Sequence, residues 1–181
     1  RGAALLEPYS DDPGNRGLVR TTQDTLELLA RRCLERGYSL CVHAIGDRGN
    51  RMVLDAMERA AATGPTPIAL RDRRFRIEHA QVLSLDDIPR FACLGVIASM
   101  QPTHCTSDMP WAPKRVGAER IEGAYAWRRL LKAGARLAPG SDFPVTPFPA
   151  RYGLWSAVAR ETLLGVYGTS PYGSAQSGDI P

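Results

Sequence analysis

All three histidines of the chain follow predicted strands. His43 and His79 end two successive apolar segments, and His104 comes shortly after a third. Parallel strands carry their carboxyl ends to one edge of a sheet, so these side chains should cluster at that edge. Neighbouring strands lie about 4.8 Å apart, which allows His43 and His79 to reach one metal ion. Taken alone, His43 fits a structural role at the end of its strand equally well.

Other polar residues follow the same strands. Asp142, in the segment Gly-Ser-Asp-Phe-Pro, is predicted either to deprotonate a water molecule in a hydrolysis or to cap a turn or helix. His104 and Gln101 are predicted substrate contacts, with an incidental position on a loop as the alternative for His104. Asp47 is predicted to cap the helix that follows it rather than to act in catalysis.

Alternating strands and helices must position these residues. Apolar periodicity predicts strands at 38–44, 74–80, 96–100 and 135–138. The first helix is predicted to begin at a capping box formed by Thr21 and Asp24 and to end at Gly37. Further helices are predicted at about 48–64, 84–95, 119–133 and 153–164. This alternation predicts an α/β fold with a parallel sheet.

The faces of the strands favour a closed barrel. In the first strand, Cys41 and His43 share the face that carries small side chains, which suits a crowded interior. In the next strand, alternation sends Arg76 and Glu78 to the face opposite His79, where unpaired buried charges are costly. We therefore expect both charges to pair with neighbouring residues. An open, flavodoxin-like binding module is the alternative, although the sequence shows no Gly-rich turn to hold phosphate.

The composition indicates a globular protein. The 181 residues are 44% hydrophobic and 23% charged, which excludes a fibrous protein and a disulfide scaffold. We predict one domain over residues 1–164 and an irregular Gly/Ser-rich tail over 165–181. The net charge of +4 comes mainly from scattered arginines, and the cluster at 71–76 is predicted to be a solvated loop. Nucleic acid is therefore not an expected partner.

Cysteine usage and hydropathy give an expected location. The four cysteines form no CxxC pair, which predicts buried free thiols in a reducing compartment and favours the cytoplasm. No apolar stretch reaches the roughly 18 to 20 residues that a membrane helix needs, so no membrane partner is expected. The chain begins at Arg1 rather than at a methionine, which predicts that it is part of a longer protein.

Four segments, in this order, resemble amidohydrolase family 3, a branch of the metal-dependent amidohydrolase superfamily. They are Val-His-Ala-Ile-Gly-Asp-Arg at 42–48, Arg-Ile-Glu-His-Ala-Gln at 76–81, Ala-Ser-Met-Gln-Pro-Thr-His at 98–104 and Gly-Ser-Asp-Phe-Pro at 140–144. The first 14 residues also resemble the family, and the resemblance extends to about residue 160.

The resemblance implies a partial TIM (β/α)8 barrel, about strands five to eight with their helices. It implies that His43 and His79 are metal ligands on strands five and six, and that Asp142 on strand eight assists the hydrolytic water. The intact enzyme is expected to bind one or two zinc ions. It is expected to hydrolyse a carbon–nitrogen bond, other than a peptide bond, in a small-molecule amide or cyclic amide.

Several features of the family are missing from the sequence. The His-x-His motif of strand one, the lysine of strand four and the small β subdomain are absent, so we expect the C-terminal half of a barrel that is inactive alone. A non-catalytic half-barrel is the main alternative. Self-association through the exposed edge of such a half-barrel is also expected.

Overall fold

The computed structural model describes residues 1–63 and 70–161, which divide into two compact units. The first unit contains Arg1–Met100 and Trp111–Ala138. The second contains Gln101–Pro110 and the residues from Pro139 onward. The predicted tail over 165–181 lies outside the described residues, so the division at residue 164 stays a prediction.

Within the described residues, the sheet has four strands whose spatial order follows the sequence. They are β1 (Cys41–Ala44), β2 (Arg76–His79), β3 (Ile97–Met100) and β4 (Arg136–Pro139). β1 pairs with β2 and β2 with β3 in parallel. This confirms the predicted parallel α/β sheet. A flavodoxin-like sheet would instead place its first strand between the second and third, so that alternative is wrong.

Helices connect and flank the strands. They are α1 (Gln23–Arg36), α2 (Asp47–Ala62), α3 (Leu70–Arg73), α4 (Ile88–Leu94), α5 (Pro102–Asp108), α6 (Ala112–Arg120), α7 (Trp127–Lys132) and α8 (Ala150–Ala159), with 3-10 turns at Leu85–Asp87 and Ile121–Gly123. In the first unit α2 contacts α1, β1 and α4, and α4 contacts α7. Phe75, Phe91, Leu5 and Leu54 are among its largest fully buried side chains. Of the helices described, none has the length and apolar character to cross a bilayer.

The ends of α1 follow the predicted chemistry with a shift of one residue. The hydroxyl of Thr22, not Thr21, accepts a hydrogen bond from the amide of Thr25 at 3.3 Å. Gly37 ends the helix with φ of 76°, a left-handed conformation that glycine adopts without steric cost. Gly95 ends α4 in the same way, with φ of 71°.

The region between β3 and β4 differs most from prediction. His104 lies on α5 rather than on a loop, because Pro102 occupies the first turn of the helix, where its missing amide hydrogen costs nothing. The single helix predicted at 119–133 is also wrong. Gly117 has φ of 81° inside α6, and a 3-10 turn separates α6 from α7.

The basic cluster at 71–76 lies at the surface, but part of it is helical. Arg71 and Arg73 belong to α3, which corrects the predicted loop. Arg71, Arg74 and Arg76 are exposed, as predicted for a solvated segment.

All four cysteines are free thiols, as predicted, but most are not buried. Cys41 and Cys93 are exposed and Cys33 is half-buried, so burial is confirmed for Cys105 alone. Cys41 lies on β1, at the edge of the sheet, where no neighbouring strand covers it within the described part of the chain.

We expect the thiols to react with iodoacetamide in the order of their exposure. Burial raises the pKa of the Cys105 thiol, although the Arg160 guanidinium, which donates to Sγ at 3.1 Å, opposes this effect. Cys105 should therefore react on the order of 100-fold more slowly than Cys41 or Cys93 at pH 7.5, because it needs both deprotonation and local opening. Mass spectrometry of the labelled peptides over time measures this, and equal rates in the folded protein would contradict it.

Candidate functional site

His43 and His79 lie side by side at the carboxyl ends of β1 and β2. Their ring centroids are 4.5 Å apart and the ring planes are inclined by 72°. The first unit thus brings together the two histidines that the sequence predicts as metal ligands.

The backbone at His79 explains how its ring reaches His43. The strand register pairs His79 with Ala44 and Glu78 with His43, so regular alternation would put the two imidazoles on opposite faces. His79 instead has φ of 74°, and Ala80 has φ of 44°. Left-handed conformations in non-glycine residues cost about 1–3 kcal/mol and are often found at functional sites. Because the extended conformation ends at His79, its ring does not follow the strand alternation and can lie beside His43.

The two charges of β2 are paired, as predicted, but with each other. Arg76 Nε lies 2.5 Å from Glu78 Oε1. Burial raises the pKa of the Glu78 carboxyl, but hydrogen bonds from Ser99 and Arg76 outweigh it and leave the pKa below its ordinary value. Glu78 is therefore ionised at neutral pH, and its negative charge beside His79 favours a cation there.

The two histidines differ in access to solvent. His79 is 8% exposed, whereas His43 is exposed and lines a pocket of about 490 Å³. The pocket is formed by residues 2–4 and 18–21, Leu26 on α1, residues 42–46 and the first turns of α2. Its lining is apolar or small apart from Arg20, Thr21 and His43. Small molecules therefore have access to the imidazole of His43.

Asn50, on α2, connects the loops that follow both histidines. Its side chain is fully buried, and Nδ2 donates to the carbonyls of Ala44 at 3.1 Å, Gly46 at 2.9 Å and Val82 at 3.3 Å. Ala44 directly follows His43, and Val82 comes three residues after His79. Asn50 is not among the site residues predicted from the sequence.

Replacing Asn50 with alanine should lower the free energy of unfolding by about 2–4 kcal/mol, because three buried carbonyls lose a donor. Urea denaturation of the purified protein measures the change. Gln23→Ala is the matched control, since Gln23 Nε2 donates to a single carbonyl, that of Met52, at 3.1 Å. That control should change the value by less than about 1 kcal/mol. Equal effects of the two variants would contradict the prediction.

Asp47 joins two parts of the first unit. It is the first residue of α2, one position after the helix cap, which is Gly46 rather than Asp47. Asp47 Oδ1 accepts hydrogen bonds from the amides of Leu6 and Arg48, both at 2.8 Å. Asp47 is 3% exposed, and these contacts support the structural role predicted for it over a catalytic one.

The second unit brings His104 and Asp142 together. A ring nitrogen of His104 and a carboxylate oxygen of Asp142 lie within 4.8 Å of each other. Both groups can accept or donate a proton, so the pair can serve acid–base chemistry. Gln101, the other predicted substrate contact, directly precedes α5 and is only 5% exposed.

Asp142 lies in a turn, which is the alternative that the sequence left open. Its carbonyl accepts a hydrogen bond from the amide of Val145 at 2.8 Å, and its φ is 57°. The residue itself is exposed. The turn accounts for the backbone conformation of Asp142.

The chain is similar in sequence to known proteins. The chain matches the model of the Amidohydrolase family over residues 1–175, which continues past residue 160, where the sequence resemblance was predicted to end. It is 38% identical over 162 residues to the YtcJ protein of Bacillus subtilis (strain 168), covering 90% of the chain and 29% of that protein. It is 28% identical over 142 residues to an N-substituted formamide deformylase of Arthrobacter pascens, covering 76% of the chain and 24% of that protein.

The fold of the chain is also similar to that of a solved structure. The solved structure of an uncharacterized metal-dependent hydrolase from Pyrococcus horikoshii OT3 matches with a TM-score of 0.77 and 30% identity, covering 93% of the chain and 33% of that protein. The chain therefore spans about a third or less of the length of each of these three relatives. Because the family model covers nearly all of its residues, the chain belongs to the amidohydrolase family.

Proposed function

We propose that the protein containing this chain is a metal-dependent hydrolase that cleaves carbon–nitrogen bonds other than peptide bonds. The observation that carries the proposal is the pair of imidazoles, His43 and His79, with centroids 4.5 Å apart. Family membership supports it, as do the names of a deformylase and a metal-dependent hydrolase among the relatives. The chain covers only a part of those proteins, so the 181 residues alone are proposed to be inactive.

His43 and His79 are the proposed metal ligands, and zinc is the proposed metal, with one or two ions in the intact enzyme. The donor set fits, because imidazole nitrogen is a preferred zinc ligand and the ionised Glu78 adds negative charge beside His79. When bound, zinc acts as a Lewis acid that promotes deprotonation of water and polarises a carbonyl.

The proposed reaction assigns one proton transfer to Asp142. Its carboxylate accepts a proton from the water that attacks the amide carbonyl carbon. The same proton then passes to the leaving nitrogen as the carbon–nitrogen bond breaks, so that the products are a carboxylic acid and an amine. His104, within 4.8 Å of Asp142, and Gln101 are the proposed substrate contacts.

The proposed substrate is a small-molecule amide or cyclic amide rather than a nucleic acid or a membrane lipid. A cytoplasmic location is proposed as well, and the free state of all four cysteines supports it. The open edge at β1 supports self-association of the isolated chain.

The experiment compares the isolated chain with the longest protein that contains it, both loaded with zinc. Release of amine from an N-substituted formamide and opening of a cyclic amide are the two assays. We expect turnover by the longer protein only, its loss on treatment with a zinc chelator, and its return when zinc is added. Turnover that survives metal removal would exclude a metal-dependent reaction. No turnover of either substrate, together with no zinc binding, would favour the non-catalytic half-barrel.

A further inference from the structure

Four hydroxyl side chains are buried inside the second unit. Thr103 and Thr106 lie on α5, Thr146 follows the turn at Asp142, and Ser156 lies on α8. Each is at most 5% exposed. Buried hydroxyls destabilise a fold unless they are hydrogen-bonded, so this arrangement needs an explanation beyond simple packing.

Thr146 connects α5 to the turn that contains Asp142. Thr103 Oγ1 donates to Thr146 Oγ1 at 3.3 Å, and Thr146 Oγ1 in turn donates to the carbonyl of Ser141. The two hydroxyls thus form a short chain of hydrogen bonds that ends on the backbone directly before Asp142. Bonds in such a chain polarise and strengthen one another in a buried environment.

The Ser141 carbonyl belongs to the peptide group whose nitrogen is that of Asp142. The φ angle of Asp142 is the rotation between this peptide and its own Cα, so holding the carbonyl restrains φ. That angle is 57°, a conformation that non-glycine residues adopt only when their surroundings impose it. On the other side, the amide of Val145 holds the carbonyl of Asp142 at 2.8 Å. Both peptide groups that flank Asp142 are therefore held.

We propose that Thr146 is a positioning residue: its hydroxyl, supported by Thr103, holds the turn so that the Asp142 carboxylate stays beside His104. This inference rests on the proposed role of Asp142 as the base. A proton acceptor that is displaced by about 1 Å can lose on the order of 10²-fold in rate, so a single hydrogen bond of this kind can affect catalysis.

Three variants test the proposal. Thr146→Val removes the hydroxyl with little change of volume, and Thr146→Ser keeps the hydroxyl. Thr106→Val is the matched control, because Thr106 Oγ1 bonds the carbonyl of Thr103 at 3.0 Å, in the same cluster but away from Ser141. If Thr146→Val does not fold, Thr146→Ala removes the same group without a branched side chain.

The first readout is independent of activity. Hydrogen exchange at the amide of Val145, followed by NMR, should become at least about 10-fold faster in Thr146→Val and stay unchanged in Thr146→Ser and Thr106→Val. Unchanged exchange in Thr146→Val would overturn the proposal. Equal acceleration in Thr106→Val would also overturn it, because that result indicates general loosening of the unit.

The second readout is turnover of the zinc-loaded longest protein. We expect kcat to fall by about 10- to 100-fold in Thr146→Val with KM within about twofold, and to recover in Thr146→Ser. Wild-type kcat in Thr146→Val would overturn the positioning role. If Asp142→Asn itself stays active, the assignment of Asp142 as the base fails, whereas the exchange measurement still decides whether Thr146 holds the turn.

Discussion

Asp142→Asn should lower kcat by on the order of 10²- to 10⁴-fold, the range expected when a general base is removed. Asparagine keeps the size of the side chain and most of its hydrogen bonds, but it cannot accept the proton from water. It also tolerates the left-handed conformation that Asp142 adopts, with φ of 57°. The turn should therefore persist, and the free energy of unfolding should change little. Steady-state turnover of an N-substituted formamide by the longest protein, at fixed zinc concentration, measures the effect.

The control for this prediction is another exposed carboxylate. Asp86 lies in the 3-10 turn at Leu85–Asp87, in the first unit. The variant Asp86→Asn should keep wild-type kcat. If Asp142 serves only the turn, asparagine replaces it without loss and both variants behave alike. More than about a tenth of wild-type kcat in Asp142→Asn would lie outside the expected range and remove Asp142 from the mechanism.

Much of the fold could be predicted, because its signals are local. Apolar runs bounded by glycine gave the order of the strands, and the structure pairs β1 with β2 and β2 with β3 in parallel. Gly37 and Gly95 end helices in left-handed conformations, as their positions after apolar stripes indicate. Alternation of strands and helices then leaves few arrangements other than a sequential parallel sheet.

Three local conformations were not predicted, because the sequence around them is compatible with more than one structure. Pro102 breaks a helix in its interior but suits a first turn, and the sequence around it does not distinguish the two. The 3-10 turn at Ile121–Gly123 interrupts the region predicted as one helix over 119–133. The left-handed conformation of His79 is a third case. With the observed register, regular alternation would place its ring on the face opposite His43.

The polar residues that hold the site differ in how visible they are. Asn50 lies three and seven positions before Val53 and Met57, on the buried face of α2, so a polar residue in an apolar stripe could have been noticed. Thr146 has no comparable signal. Its hydrogen bond to Thr103 joins residues 43 positions apart, and only the folded chain brings them together.

Replacing either member of the histidine pair should have the second large effect. His43→Ala and His79→Ala should each lower the zinc affinity of the longest protein by at least about 100-fold. Removal of a residue that only orients a metal ligand lowers metal affinity by about 10- to 100-fold, so loss of a direct ligand should lower it more. The isolated chain should bind zinc weakly, because two imidazoles supply only part of a zinc coordination shell. Competition with a chromogenic chelator measures all of these affinities.

His104→Ala tests whether His43 and His79, rather than His104, bind the zinc ion. His104 is an imidazole too, but it lies in the second unit, where its ring nitrogen is within 4.8 Å of the Asp142 carboxylate. As a substrate contact it should raise KM and leave zinc affinity within about twofold, the change expected for a substitution outside the metal site. A 100-fold loss of zinc in His104→Ala, with none in His43→Ala, would move the metal away from the pair at the ends of β1 and β2. The 4.5 Å between the rings of His43 and His79 would then reflect packing at the strand ends rather than a binding site.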